Sequence, residues 1–595
     1  MSVNTHYVTL ERMKKYALRD PVPSNIDDIL KVYHPMVRSL LHARGIVDTD
    51  EAEKFLNPDY DLHTHDPFLL KNMDKVVKRI LSAIAKGEKV AIYSDYDCDG
   101  IPGAVILHDF FKKIGFNNFV NYIPHRNEEG YGLNHEAVSQ LIDDGAKLII
   151  TIDCGITDLA ETKFAQSRNV DVIITDHHIP GKKLPKAFAV INPKQKDCKY
   201  PEKMICGSGV IFKVVQALCT RLDSLKIENC KLKIATFPVG WEKWLLDMVG
   251  LATLSDMVPL QGENRVFSYY GMKVLRKSSR VGLLKMFSSL RIDQRTVTED
   301  DITFMITPRV NAASRMGVPR DAFTLLSTSD VVEAGTYVEH LNKKNDERKG
   351  VVGAMIREIK KRIENRGEDV RKVIVYGNPE WKPSLLGLVA NSFSDEHLRP
   401  VFFWGREGNA EGDFTIKGSC RAGGDTDVVA LMEKVKDILI DYGGHKGAGG
   451  FSLSQDNVHM LEDRLNEAFL ELSSMSKMPF DILVDKKLSL DDVNWNTYSH
   501  IEKFAPFGLD NPKPIFLFEN ISVSAVKLFG KDKNHLELKF KNSVGKDVTA
   551  IAFFFNKEKF PVSLDPGNHV NLVATLEKSM FRNFPELRLR IVDIF

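Results

Sequence analysis

Three acidic segments hold the residues best suited to chemistry: Ser94-Asp95-Tyr96-Asp97-Cys98-Asp99-Gly100, Thr151-Ile152-Asp153-Cys154-Gly155 and Thr175-Asp176-His177-His178. A fourth, Leu251-Ala-Thr-Leu-Ser-Asp256, ends an apolar helix-like stretch on one more carboxylate. Carboxylates gathered in one place repel unless something neutralises them. A divalent metal is the simplest neutraliser, and oxygen plus imidazole donors suit Mn²⁺ or Mg²⁺ better than a thiolate-seeking ion. Asp95, Asp97 and Asp99 alternate, so an extended backbone would turn all three to one side, with Gly100 freeing the turn that follows. His177 and His178 in an extended chain would point opposite ways, one to ligate metal and the other to meet a substrate.

These residues need a frame that brings them together. Lys89-Val-Ala-Ile-Tyr93, Lys147-Leu-Ile-Ile-Thr-Ile152 and Val172-Ile-Ile-Thr175 lead into the three segments. Unbroken apolar runs of this length read as buried parallel strands. Ligands bind at the carboxyl ends of such strands, so one sheet edge is expected to carry the whole cluster. A calcium loop of the EF-hand type is the rival reading of Asp-x-Asp-x-Asp-Gly. It requires a glutamate six residues past the glycine, where this chain has Ile106.

The four segments, in this order, resemble the motifs of the DHH phosphoesterase superfamily, whose name is the Asp176-His177-His178 signature. The likeness continues through Tyr122-Ile-Pro-His-Arg126 with Glu129-Gly-Tyr-Gly132, and through Pro308-Arg-Val-Asn-Ala-Ala-Ser-Arg-Met316. Lys417-Gly-Ser-Cys-Arg421 and Gly443-Gly-His-Lys-Gly-Ala-Gly-Gly450 resemble the C-terminal domain associated with that superfamily. Phe507-Gly-Leu-Asp-Asn-Pro512 with Gly530 and His535-Leu536 resembles the OB-type domain of its single-strand-specific exonuclease branch.

The resemblance implies a two-metal phosphodiesterase. Asp97, Asp99, Asp153, His177 and Asp256 are the implied ligands, with Asp153 as the bridge. Asp95 is either a ligand or a partner of one, Asp176 orients its neighbours, and His178 faces the scissile phosphate as charge stabiliser or proton donor. Two Mn²⁺ or Mg²⁺ ions would serve as cofactors. The implied reaction is 5′-to-3′ hydrolysis of single-stranded DNA to mononucleotides, in DNA repair and recombination. The implied partners, besides the DNA, are a single-strand-binding protein and a recombination helicase, and the expected state is a monomer. Two rival readings are a short-oligonucleotide or cyclic-dinucleotide phosphodiesterase, which generally lacks the C-terminal barrel, and a silent DNA-binding scaffold, which would not keep every ligand.

Further basic and glycine positions fit the same reading. Arg126, Arg309 and Arg315 lie in resembling segments, and Arg126 and Arg315 are assigned to the substrate backbone or its terminal phosphate. The Asn311 stretch reads equally as a helix start with a packing role. Lys417, Ser419 and Arg421 alternate and would share one strand face. Gly444, His445, Gly447 and Gly449 read as a loop whose backbone N–H groups hold substrate. Ser384 stands where the family usually has glycine, so no substrate contact is carried over to that segment.

The expected fold is α/β: a parallel-sheet DHH domain and a second, DHHA1-like α/β domain joined by a long helix, plus a C-terminal OB-type β-barrel. Boundaries fall at 1–75 for an N-terminal region packed on the catalytic domain, 76–327 for the catalytic domain, 328–370 for the helix, 371–474 for the second domain and 475–595 for the barrel. Val338, Leu341, Asn345, Val351, Met355 and Ile359 set the apolar stripe of the helix. In the barrel Phe553, Phe554, Phe555, Phe560, Phe581 and Phe584 interleave with Lys557, Lys559, Lys578 and Arg582, a mixture suited to single-strand stacking.

Composition sets limits but selects nothing. The chain has 595 residues, 43% hydrophobic and 27% charged, with a net charge of +1. That length demands several domains, and near-neutral charge means that any nucleic-acid surface must concentrate its cations locally. No apolar run reaches membrane-spanning length, and the first fifteen or so residues lack an apolar signal region. The seven cysteines show neither disulfide nor zinc spacing, so a cytoplasmic location is expected. Cys98 and Cys154 read as small residues packed under tight loops.

Overall fold

The computed structural model describes residues 16–227, 238–366, 371–406, 415–473, 482–531, 533–555, 562–580 and 584–595. They form two compact units, Tyr60–Pro479 and a second made of the chain up to Asp59 with Phe480–Phe595. Among the described residues no helix is long and apolar enough to cross a membrane.

In the first unit the apolar runs become five parallel strands: β1 (Lys89–Ser94), β2 (Phe119–Tyr122), β3 (Ala146–Ile152), β4 (Asp171–Thr175) and β5 (Ala189–Ile191). Their order is β2-β1-β3-β4-β5, which reverses direction between β1 and β3, the place where such sheets bind ligands. Ser94 pairs with Ile152 and Ile152 with Thr175, so the strands end level. Asp95, Asp153 and Asp176 therefore leave the sheet side by side. Helix α1 (Gly100–Lys113) starts from the first acidic segment. A Cβ on its Gly103 would sit 2.6 Å from the Ile152 side chain, so the helix lies hard against β3. Separate apolar clusters cover the two faces of this sheet.

The expected connector is a single helix, Val331–Arg366. Ala334, Val338 and Leu341 join the core of the catalytic sheet, while Met355 and Ile359 join that of the second α/β domain. Val351, expected on the stripe, is 37% exposed. The second domain has strands β6 (Ile374–Gly377), β7 (Val401–Arg406), β8 (Thr415–Arg421), β9 (Leu439–His445) and β10 (Ala448–Ser454), in the order β9-β10-β8-β7-β6.

The other unit contains the barrel. Strands Lys486–Lys487, Phe516–Phe529, His535–Lys541, Asp547–Ala552, Glu586–Ile594 and His569–Ser579 pair in that order, and Phe516–Phe529 also pairs with His569–Ser579 to close the ring. The N-terminal region departs from expectation. Met36, Leu40, Leu41, Phe55 and Leu56 share one core with Phe504, Phe516 and Leu538 of the barrel unit. Arg44 seals this junction, its Nε on Asn511 Oδ1 at 2.6 Å and its guanidinium over the Phe504 ring. The catalytic sheet already covers both faces with its own helices, so the apolar sides of the Pro35–His42 and Thr49–Leu56 helices find their burial on the barrel. Only from Tyr60 onward does the chain join the catalytic core. The boundary expected at 474/475 and residues Lys557, Lys559, Phe560, Phe581 and Arg582 lie outside the described residues.

Candidate active site

The level strand ends gather the acidic cluster. Metal-ligating atoms lie within 4.8 Å of one another in three overlapping groups: Asp95, Asp97 and Asp153; Asp99, His177 and Asp256; Asp153, His177 and His178. Every residue expected to ligate metal is thus in one place, though two of the expected reasons fail. The Asp95–Asp99 segment is a turn, not an extended strand. Asp97 Oδ1 accepts the N–H groups of Asp99 at 2.8 Å and Gly100 at 3.2 Å, and folds the chain back on itself. A Cβ on Gly100 would lie 2.5 Å from the Asp95 carbonyl oxygen, so only glycine permits this turn. The histidines do not diverge either. Their rings are 4.5 Å apart, and both reach toward Asp153.

Asp176 causes that bend. Its Oδ1 accepts the backbone N–H of His177 at 2.7 Å, that of His178 at 3.0 Å and His178 Nδ1 at 2.8 Å, while Oδ2 accepts Ile156 N–H. The two histidines consequently differ by partner. His177 Nε2 sits 3.2 Å from Asp153 and 3.7 Å from both Asp99 and Asp256. His178 is anchored by Nδ1 to Asp176 and lies 3.1 Å from the Tyr131 hydroxyl, which also donates to the Asp153 carbonyl.

Charge is stored here at a cost. Burial first, then neighbouring carboxylates, raise Asp95, Asp153 and Asp256 well above the usual carboxylate range, and burial with Asp97 lifts Asp99 to about 6. Burial and the adjacent His178 depress His177 to about 3, which leaves the neutral imidazole that a metal requires. Burial opposes the charge of Asp176, but its bonds from His178 and from backbone N–H groups win and hold it below the ordinary range. Asp95 Oδ1 and Asp153 Oδ1 are buried with no hydrogen-bond partner. Buried, unpaired oxygens beside a neutral imidazole fit a hard divalent cation. Asp153 itself adopts a left-handed φ of +63°, the kind of strain that accumulates at functional sites.

Several supports escaped the sequence reading. Helix α2 (Gly207–Ile227) aims its N-terminus at Asp99: Gly207 N–H meets Oδ2 at 2.6 Å and Ser208 N–H meets Oδ1 at 2.7 Å. A Cβ on Gly207 would lie 2.6 Å from Asp153 Oδ1. The signal was available as Cys206-Gly-Ser-Gly209 ahead of a long apolar helix. Asn311, on helix α3 (Thr307–Met316), accepts the Cys98 N–H at 2.9 Å and so braces the acidic turn. Cys98 and Cys154 are fully buried, and burial pushes the Cys98 thiol up to about 12.

The expected substrate residues separate into groups. Arg126 lies over the Tyr96 ring at 4.8 Å. Arg315 donates to the Ser384 carbonyl, and burial with Arg126 and Arg348 nearby lowers it to about 9, still cationic at neutral pH. Ser384, the family departure, thus holds Arg315 through its backbone. Arg309 is not brought to the carboxylates. Its Nε bonds Asn342 on the long helix at 2.6 Å and its Nη1 bonds the Met305 carbonyl. In the second domain, Ser419 Oγ and Arg421 Nη2 lie 3.1 and 2.9 Å from where a Gly387 Cβ would be, and Lys417 shares their face of β8. The glycine-rich segment is a hairpin rather than an open loop. Gly444 pairs with Gly449 and His445 with Ala448, with Lys446-Gly447 at the tip. In the hairpin its glycines permit close approach of the two strands: a Gly444 Cβ would fall 2.3 Å from the Ala448 carbonyl oxygen.

Known proteins resemble this chain over nearly its whole length. The chain matches the DHH family N-terminal domain over residues 89–238, the DHHA1 domain over 370–472 and the RecJ OB domain over 484–593. It is 32% identical over 583 residues to the single-stranded-DNA-specific exonuclease RecJ of Bacillus subtilis strain 168, across 97% of this chain and 70% of that one. It is 29% identical to RecJ of Escherichia coli K12, across 81% and 83% of the two chains. The crystal structure of RecJ in complex with Mn²⁺ from Thermus thermophilus superposes with a TM-score of 0.79 at 25% identity, over 98% of this chain and 80% of that one. With three domains matched in order and near-complete coverage at this identity, the chain belongs to the RecJ family of the DHH superfamily.

Proposed function

We infer that this chain is a metal-dependent hydrolase of single-stranded DNA, an exonuclease that works from the 5′ end and releases mononucleotides. The buried cluster of unpaired carboxylate oxygens around neutral His177 carries the reading, since bound divalent cations would neutralise it and give the oxygens partners. Two Mn²⁺ or Mg²⁺ ions, when bound, would supply Lewis-acid stabilisation and a nucleophile at neutral pH. Asp97, Asp99, Asp153, His177 and Asp256 would hold them, with Asp95 beside. His178, locked through Nδ1 to Asp176, keeps its other nitrogen free to meet the scissile phosphate. Arg126 and Arg315 would neutralise the strand backbone or its terminal phosphate near the acidic turn, with Ser419, Arg421 and Lys417 adding the second domain's contribution. Chemistry is assigned to residues 76–327, strand holding to 371–474 and extended binding to 475–595. The 5′ polarity rests on the family resemblance.

The test is cleavage of single strands labelled at one end or the other, with Mn²⁺ present. Early release of the 5′ label as a mononucleotide, with the 3′ label retained on shortening strands, is the expected result. Early 3′ release would reverse the polarity, and no cleavage of any single strand would end the reading.

A further inference from the structure

We propose that Phe554, seated against His535 on the outer side of the barrel, is a nucleobase platform that lets the barrel hold single strands through their bases as well as their phosphates. The inference rests on the single-stranded-DNA reading above and names the residues that the barrel would use. In the strand His535–Lys541, Leu536, Leu538 and Phe540 point into the core, so His535 faces outward. On the neighbouring strand Ala552 pairs with Leu536, and the chain then carries Phe553 and Phe554 out beside His535. The His535 ring meets Phe529, Phe553 and Phe554 edge-on, each at 5.2 Å. Arg590 lies over the Phe553 ring at 4.0 Å and brings a cation into the same surface.

Phe554 differs from the other rings packed around His535. It is 80% exposed, so it adds little to the core. Its φ is +55°, a left-handed conformation costly for a bulky residue. Its N–H donates to His535 Nδ1 at 3.1 Å, which fixes the strained backbone in place. A strained backbone that presents an aromatic ring to solvent is hard to explain by stability. Rings with a guanidinium among them are what unpaired bases and their backbone recognise, and the outer face of His535–Lys541 and Asp547–Ala552, the second and third of the barrel's five longer strands in chain order, is the side on which OB-type barrels take oligonucleotides.

The test uses the full-length chain in EDTA, so that binding is read without hydrolysis. Anisotropy is measured on two labelled strands of about 30 nucleotides, one of thymidines and one abasic throughout. Phe554→Ala should weaken thymidine-strand binding by about tenfold and leave abasic binding and its salt dependence unchanged. Phe554→Tyr should restore binding, and Phe554→Leu, which stays apolar but loses the ring, should behave as alanine does. Unchanged thymidine binding in the alanine and leucine variants, or an equal loss on both strands, would overturn the platform. Failure of the wild type to cleave single strands with Mn²⁺ would instead strike the exonuclease reading, and the two-strand comparison separates the cases.

Discussion

The acidic edge of the parallel sheet and the outer face of the barrel are both made from strand ends, yet they handle exposure in opposite ways. At the sheet edge the carboxylates are crowded and like-charged, and several are fixed by backbone donors: Asp176 by three N–H groups, Asp99 by the start of α2. On the barrel the distinctive group is an exposed ring whose own backbone is held by one bond to His535. Chemistry demands preorganised charge, and water must be kept from competing with it. Sequence-tolerant binding needs only an available surface, because every base has a face to stack. The first region should therefore fail abruptly when altered, and the second by degrees.

The abrupt failure is sharpest at Asp153, which belongs to two of the three ligand groups. Asp153→Ala should lower single-turnover cleavage by at least about 10³-fold, since as the bridge its side chain would serve both metals. The metal-free variant should melt no lower than wild type, because the substitution removes a buried like charge, whereas the rise in melting temperature on adding Mn²⁺ should shrink. Near-full activity at saturating Mn²⁺ would break the contrast between the two regions.

The histidines come next. His178→Ala should keep its metals and lose about 10²–10³ in rate, the usual loss for one preorganised donor. His177→Ala should lose metal affinity and recover in part with excess Mn²⁺. Calorimetric titration beside single-turnover kinetics separates them, and the reverse pattern would exchange their roles.

Most of the chemistry was legible because parallel strands announce themselves as apolar runs and their carboxyl ends follow directly in the chain. The divergence expected of the His177 and His178 side chains rests on an extended backbone that does not exist here. Sequence alternation cannot reveal that Asp176 collects three N–H groups and bends the segment. Gly207 and Ser208 are not legible as site residues because their partner Asp99 lies far away in sequence, and the Asn311 stretch, legible as a motif, does not disclose its contact with Cys98. The N-terminal helices pack on a neighbour other than the expected one for a related reason: amphipathicity shows that a face must be buried, not against what. The hairpin at Gly443–Gly450 looked like a loop because glycine permits both, and only strand pairing decides.

Gly207→Ala tests the supports directly. The added methyl would press on Asp153, so metal affinity or rate should drop by about 10–100-fold, a typical loss when the groups behind ligands are disturbed. Metal titration with cleavage rates at saturating Mn²⁺ would show it, and a silent variant would mean that the α2 terminus is not held against the centre.

The smallest effect on chemistry should come from removing the barrel. Because the helices before Asp59 share its core, the informative truncation is residues 60–479, not a cut at 475 alone. Binding to long strands should weaken by about 10–100-fold, while turnover of a saturating short oligonucleotide should change by less than about threefold. Equal losses on short and long strands would remove the barrel's separate role.

The central claim, that this sheet edge is a two-metal centre, is tested most directly by anomalous diffraction from crystals grown with Mn²⁺. Two manganese peaks about 3.5–4 Å apart, both bounded by Asp153 and one touching His177 and Asp256, are the expected result. A lone peak away from Asp153, or none at concentrations that support cleavage, would contradict it.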